Sequence, residues 1–74
     1  MTTLNVLKKS QKGTIIEINS DNVPLKLIEM GCLPGNVVEV LQIAPLADPI
    51  YIKVNDSFLS IRKDLAKQIQ VELI

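Results

Sequence analysis

The stretch Ile50-Tyr51-Ile52-Lys53-Val54-Asn55-Asp56-Ser57-Phe58-Leu59-Ser60-Ile61 decides the fold class. Ile50, Ile52 and Val54 alternate with Tyr51 and Lys53, the period-two pattern of a strand with one face buried. Asn55 and Asp56 interrupt it with the residues that tight turns favour. Phe58, Leu59 and Ile61 then resume it, with Phe58 a candidate for the core. The stretch therefore reads as a β-hairpin. Ile69, Val71 and Leu73 alternate with Gln70 and Glu72 in the same way and predict a further strand.

Two other segments are rich in β-branched residues but alternate less cleanly. Gly13 to Ile18 predicts a strand. Asn36 to Ala44 carries apolar groups on both faces, through Val37, Val38, Val40, Leu41 and Ile43, which predicts a bent central strand. About five short strands result. A chain of 74 residues has room for one core, so residues 1–74 are read as a single domain. One small sheet cannot hide both of its faces, and closing it into a barrel solves that problem. The expected fold is mostly β, a small SH3-like barrel with one or two short helices; an OB-like barrel fits less well because its strands are longer.

Asn22 to Gly31 breaks the β pattern. Asn22 is placed to cap a helix, Pro24 falls in its first turn, and Leu25 to Met30 forms one to two turns. Gly31 supplies the left-handed residue that ends it. With Gly31 as C′, Cys32 is C″ and Leu27 is C3, the apolar pair of a Schellman ending, and Pro34 prevents a restart. Arg62 to Gln68 predicts a second helical turn around Asp64 to Lys67.

Composition narrows the function classes. Eight basic residues balance eight acidic ones, so no net field recruits a polyanion. Aromatics at 3% supply no stacking platform for single strands, so nucleic acid is not an expected partner. Histidine is absent and Cys32 is the single cysteine, which removes the usual general base, any intrachain disulfide and most iron ligands. The serines at 10, 20, 57 and 60 have no base spaced to activate them, and no glycine-rich phosphate loop is present. No catalytic residue, cofactor site or metal site is expected, and the chain is read as no enzyme. Met1 to Asn5 lack a basic leader and no apolar run reaches ~18 residues, so a soluble, cytoplasmic protein without direct membrane insertion is expected.

Three segments together resemble the ferrous-iron transport protein A (FeoA-like) family. Leu25-Lys-Leu-Ile-Glu-Met-Gly-Cys-Leu-Pro-Gly35 is similar to that family's "LxxxGhxPG" helix and cap. Ala44-Pro-Leu-Ala-Asp-Pro-Ile50 resembles its "APLGDPI" turn, with Ala47 where Gly is common. Ile61-Arg-Lys-Asp-Leu-Ala66 resembles its "LRxxxA" end, with Ile61 for Leu. The resemblance implies an SH3-like barrel and a cytoplasmic accessory role in ferrous-iron uptake. Its implied partner is the cytoplasmic region of a membrane ferrous-iron permease that carries a GTP-binding domain, through which the chain would associate with the membrane. The alternative is a regulatory or oligomerising SH3-like module that acts on another protein such as a metalloregulator.

Leu25, Leu27, Ile28 and Met30 sweep roughly 220° around the helix, more than a short helix over a barrel mouth can bury. Leu25, Leu27, Met30 and Leu33 are therefore expected to contribute an exposed apolar patch for a partner. The stiff turn with Pro45, Leu46, Asp48 and Pro49 is the second candidate contact. Self-association is a further use such surfaces allow. Cys32 is read as a buried small hydrophobe rather than a redox centre.

Overall fold

A computed structural model describes residues 2–19 and 21–74. Met1, the start of the segment read for a leader, and Ser20, one of the serines without a base, lie outside the described residues. The strands are β1 (Thr2–Thr3), β2 (Lys12–Ile18), β3 (Val37–Ile43), β4 (Ile50–Val54), β5 (Ser57–Ile61) and β6 (Ile69–Leu73). Two short helices, α1 (Leu25–Glu29) and α2 (Lys63–Ala66), interrupt them. All six strands share one antiparallel sheet in the order β1-β6-β2-β3-β4-β5. The expectation of about five strands thus misses one, the two-residue β1, which pairs Thr2 with Val71 and Thr3 with Gln70.

The curled sheet encloses a core of Ile15, Val38, Val40, Ile50, Ile52, Val54, Ile61, Ile69 and Val71, all buried. Alternation explains this set directly, because odd positions of β6 and even positions of β4 face inward. Leu73 departs from its pattern: it ends β6 opposite Gly13 and is half exposed. A 3-10 turn at Leu4–Val6 plugs one end, burying Leu4 and Leu7, and packs against α2. The uneven pattern of β2 and β3 has a single cause. Each carries a register shift, between Ile15 and Glu17 in β2 and between Val40 and Gln42 in β3, and an extra residue reverses which face the remainder of the strand turns inward. Ile16 and Glu17 are consequently both exposed, and it is Ile18 that packs against the core beyond the shift.

In the β4–β5 hairpin the two-residue turn Asn55-Asp56 pairs Val54 with Ser57 and Lys53 with Phe58. That register corrects the placement of Phe58. Pairing with outward-facing Lys53 puts Phe58 on the outer face, 67% exposed, with the Lys53 ammonium 5.7 Å from its ring centroid.

Candidate functional site

The C-terminal end of α1 is a Schellman motif. The Cys32 N–H donates to Leu27 C=O at 3.0 Å and the Gly31 N–H to Ile28 C=O at 3.1 Å, with Gly31 at φ 111°. Gly31 C=O accepts a further bond from Asn36 Nδ2 at 2.7 Å, which ties the cap to the start of β3. The N-terminal end differs from expectation. Pro24, not Asn22, occupies the N-cap, and no side chain caps the helix. Asn22 is used elsewhere: its Nδ2 and that of Asn19 both donate to Gln68 Oε1 at 3.3 Å, tying the loop before α1 to the residues after α2.

This tie closes one end of a cleft of about 550 Å³ between the two helices. Pro24, Leu27, Ile61 and Leu65 give it apolar walls, while Lys26, Arg62 and Asp64 supply charge at its margin. Leu27 and Leu65 are only partly buried against the core. Of the residues expected at a docking surface, Leu27 alone lines this cleft. Leu25 and Leu33 are 67% and 41% exposed on other parts of the α1 region, and Met30 is half-buried. The excess apolar width of the helix is thus divided between a cleft wall and open surface. The contribution of α2 to the cleft was hidden in the sequence, since helix spacing cannot show which distant segment packs beside α1.

The turn at Pro45–Ala47 has an unusual backbone. Leu46 and Ala47 lie at φ 72° and 65°, consecutive left-handed residues that cost roughly 1 kcal/mol each without glycine. Leu46 receives no burial in exchange, being 99% exposed. Asp48 is extended at φ −154° and ψ 128°, as the proline after it demands. Its Oδ1 accepts a bond from the Lys63 N–H at 3.0 Å, satisfying one of the orphan donors at the start of α2. Asp48 therefore anchors the turn to α2, next to Arg62 of the cleft.

Cys32 is 1% exposed, and burial pushes its thiol above the ordinary value. The folded thiol keeps its proton at pH values where the unfolded chain has lost it. The stability this contributes is complete below the unfolded pKa, ~8.5, and is lost as pH rises through the folded value. Stability should therefore decline above about pH 9, and Cys32→Ala should remove part of that decline in denaturant titrations. Labelling by a disulfide reagent at neutral pH should be at least ~100-fold slower in the native chain than in denaturant. Labelling at equal rates would show that the thiol is accessible.

Among the described residues no group of three or more Cys, Asp or Glu side chains comes together to hold a metal ion. The donor set does not fit a resident metal centre: the chain has no imidazole, and its one thiol is inside the core with its proton held.

Residues 2–73 match the family model for the FeoA domain. The chain belongs to the FeoA family. A curated relative is the Fe(2+) transport protein A/Fe(2+) transporter FeoB fusion protein of Porphyromonas gingivalis, 36% identical over 72 residues. That match covers 96% of this chain and 8% of the fusion protein, so the chain spans a small part of that relative's length. The FeoA-like protein of Clostridium acetobutylicum is 32% identical, with a TM-score of 0.87 over 99% of this chain and 86% of that one. The FeoA of Stenotrophomonas maltophilia, solved with zinc and described as a prokaryotic SH3 domain protein, superposes with a TM-score of 0.82 at 21% identity. It covers 97% of this chain and 91% of that one, and shows the shared SH3-like fold. Iron transport is named for the Porphyromonas and Stenotrophomonas relatives, the process that the three motifs in the sequence imply.

Proposed function

We propose that this chain is a non-enzymatic interaction module that docks on the cytoplasmic part of a ferrous-iron permease with a GTP-binding domain, and supports or regulates transport. The observation that carries the reading is the fusion relative, in which a homologous domain and a FeoB transporter share one polypeptide. Covalent linkage keeps two domains at high effective concentration, an arrangement suited to partners that otherwise bind weakly. Among the described residues no helix is long and apolar enough to cross a membrane, so membrane association would come through the permease.

The docking surface comprises Leu25, Leu27, Met30 and Leu33 around α1, and Pro45, Leu46, Asp48 and Pro49 in the turn. Leu46 is its most informative residue. A leucine held in a left-handed conformation and left entirely in solvent is costly in isolation and gains burial only against another molecule.

Leu46→Asn is the clean test, because Asn tolerates the left-handed region and the fold loses no packing. Calorimetry against the isolated cytoplasmic region of the permease should show affinity reduced roughly tenfold, as for loss of a well-buried aliphatic anchor, with thermal unfolding unchanged or slightly raised as the left-handed strain is relieved. Unchanged affinity in both Leu46→Asn and Leu25→Gln would remove these faces from the docking surface. Failure of the unmodified chain to bind would remove the permease reading itself.

A further inference from the structure

The sheet has two edges, and they are guarded differently. β1 is only two residues long, one way natural proteins blunt an edge. β5 is five residues, Ser57-Phe58-Leu59-Ser60-Ile61, with no charge, no proline and no register shift. Such an edge invites another strand.

The geometry of the invitation is fixed by the hairpin. A two-residue turn makes Val54 and Ser57 a hydrogen-bonded pair, so by alternation Ile52 and Leu59, then Ile50 and Ile61, also exchange bonds. The N–H and C=O groups of Phe58 and Ser60 consequently point away from β4. No backbone bond outside the hairpin uses them among the described residues. Phe58 and Ser60 are also exposed as side chains.

We propose that two copies of this chain pair antiparallel through β5, about a two-fold axis at Leu59. Phe58 of each copy then lies opposite Ser60 of the other, and both pairs exchange N–H···O=C bonds. The small serine leaves room beside the aromatic ring on the outer face. Charge selects this register over its neighbours. Asp56, just before β5, falls opposite Arg62, just after it, and the two-fold axis repeats this match at the other end. Slipping the strands by two residues in either direction removes both matches. Ser60 and Arg62 also line the cleft beside Leu27 of α1, but sedimentation of the chain alone reads self-pairing with no permease present, so the two interactions are tested independently.

Sedimentation velocity over a micromolar-to-millimolar series should show a reversible monomer–dimer equilibrium. Ser60→Pro removes only an outward-facing donor and is tolerated on an edge strand, so it should stay folded by circular dichroism yet be monomeric. Arg62→Glu turns two attractive matches into repulsive ones and should weaken the dimer roughly tenfold. Adding Asp56→Arg to Arg62→Glu exchanges the charges and should restore affinity to within about threefold. A chain that stays monomeric throughout, or a folded Ser60→Pro that dimerises as before, overturns the proposal. Failure of the charge exchange to restore pairing overturns the register and with it the two-fold axis at Leu59.

Discussion

Replacing Ile52 with Ala should lower stability by about 3 to 4 kcal/mol, the cost of deleting a fully enclosed branched side chain together with the cavity it leaves. Ile52 is 0% exposed at the centre of β4, flanked by Val40 on β3 and Leu59 on β5. A domain of this size has a total stability of about 4 to 11 kcal/mol, so the variant loses much of its margin. In urea, with a slope near 1 kcal/mol/M for a small chain, the unfolding midpoint should fall by about 3 M. Leu46→Ala, which removes an equally aliphatic side chain from open solvent, should change stability by less than about 0.5 kcal/mol. A shift below about 1 M for Ile52→Ala would mean that the interior repacks far more freely than a close-packed core should.

The contrast between Ile52 and Leu46 also marks where sequence reasoning is strong. Ile52 was legible because strand alternation depends only on nearest neighbours, and a barrel wall keeps one face inward along its length. The Schellman ending was legible for a similar reason: Leu27, Gly31 and Cys32 are fixed by spacing within one short segment. The register shifts in β2 and β3 could be sensed only as apolar residues on both faces, since an extra residue shows in the partner strand and not in the chain that carries it. Phe58 was misplaced because its aromatic character suggested the core, whereas the two-residue turn fixes which face it takes. Burial of Leu4 and Leu7 gave no periodic signal, coming from a single 3-10 turn with too few residues to establish a period. The cleft was least legible of all. Its walls come from Pro24, Leu27, Ile61 and Leu65, which are adjacent only after the sheet has curled.

Gly31 is where local and tertiary constraints meet, and Gly31→Ala should cost about 2 to 3 kcal/mol. Its φ of 111° lies beyond the region that Asn or Asp tolerate, which alone carries roughly 1 to 2 kcal/mol for an L side chain. A Cβ there would also collide with the Asn55 side-chain amide, so the cap of α1 abuts the turn of the β4–β5 hairpin. Gly35 separates the two contributions. It has a comparable φ of 95° but nothing within 4 Å of where a Cβ would sit. Gly35→Ala should therefore cost about 1 to 2 kcal/mol from backbone conformation only. The difference between the two variants measures the collision, and it should stay near about 1 kcal/mol or below because Asn55 is exposed and its amide can swing toward solvent. Equilibrium unfolding of both variants decides the matter. If Gly31→Ala proves no more costly than Gly35→Ala, the hairpin turn does not brace the helix cap, and the position of Leu27 in the cleft rests on the Schellman hydrogen bonds alone.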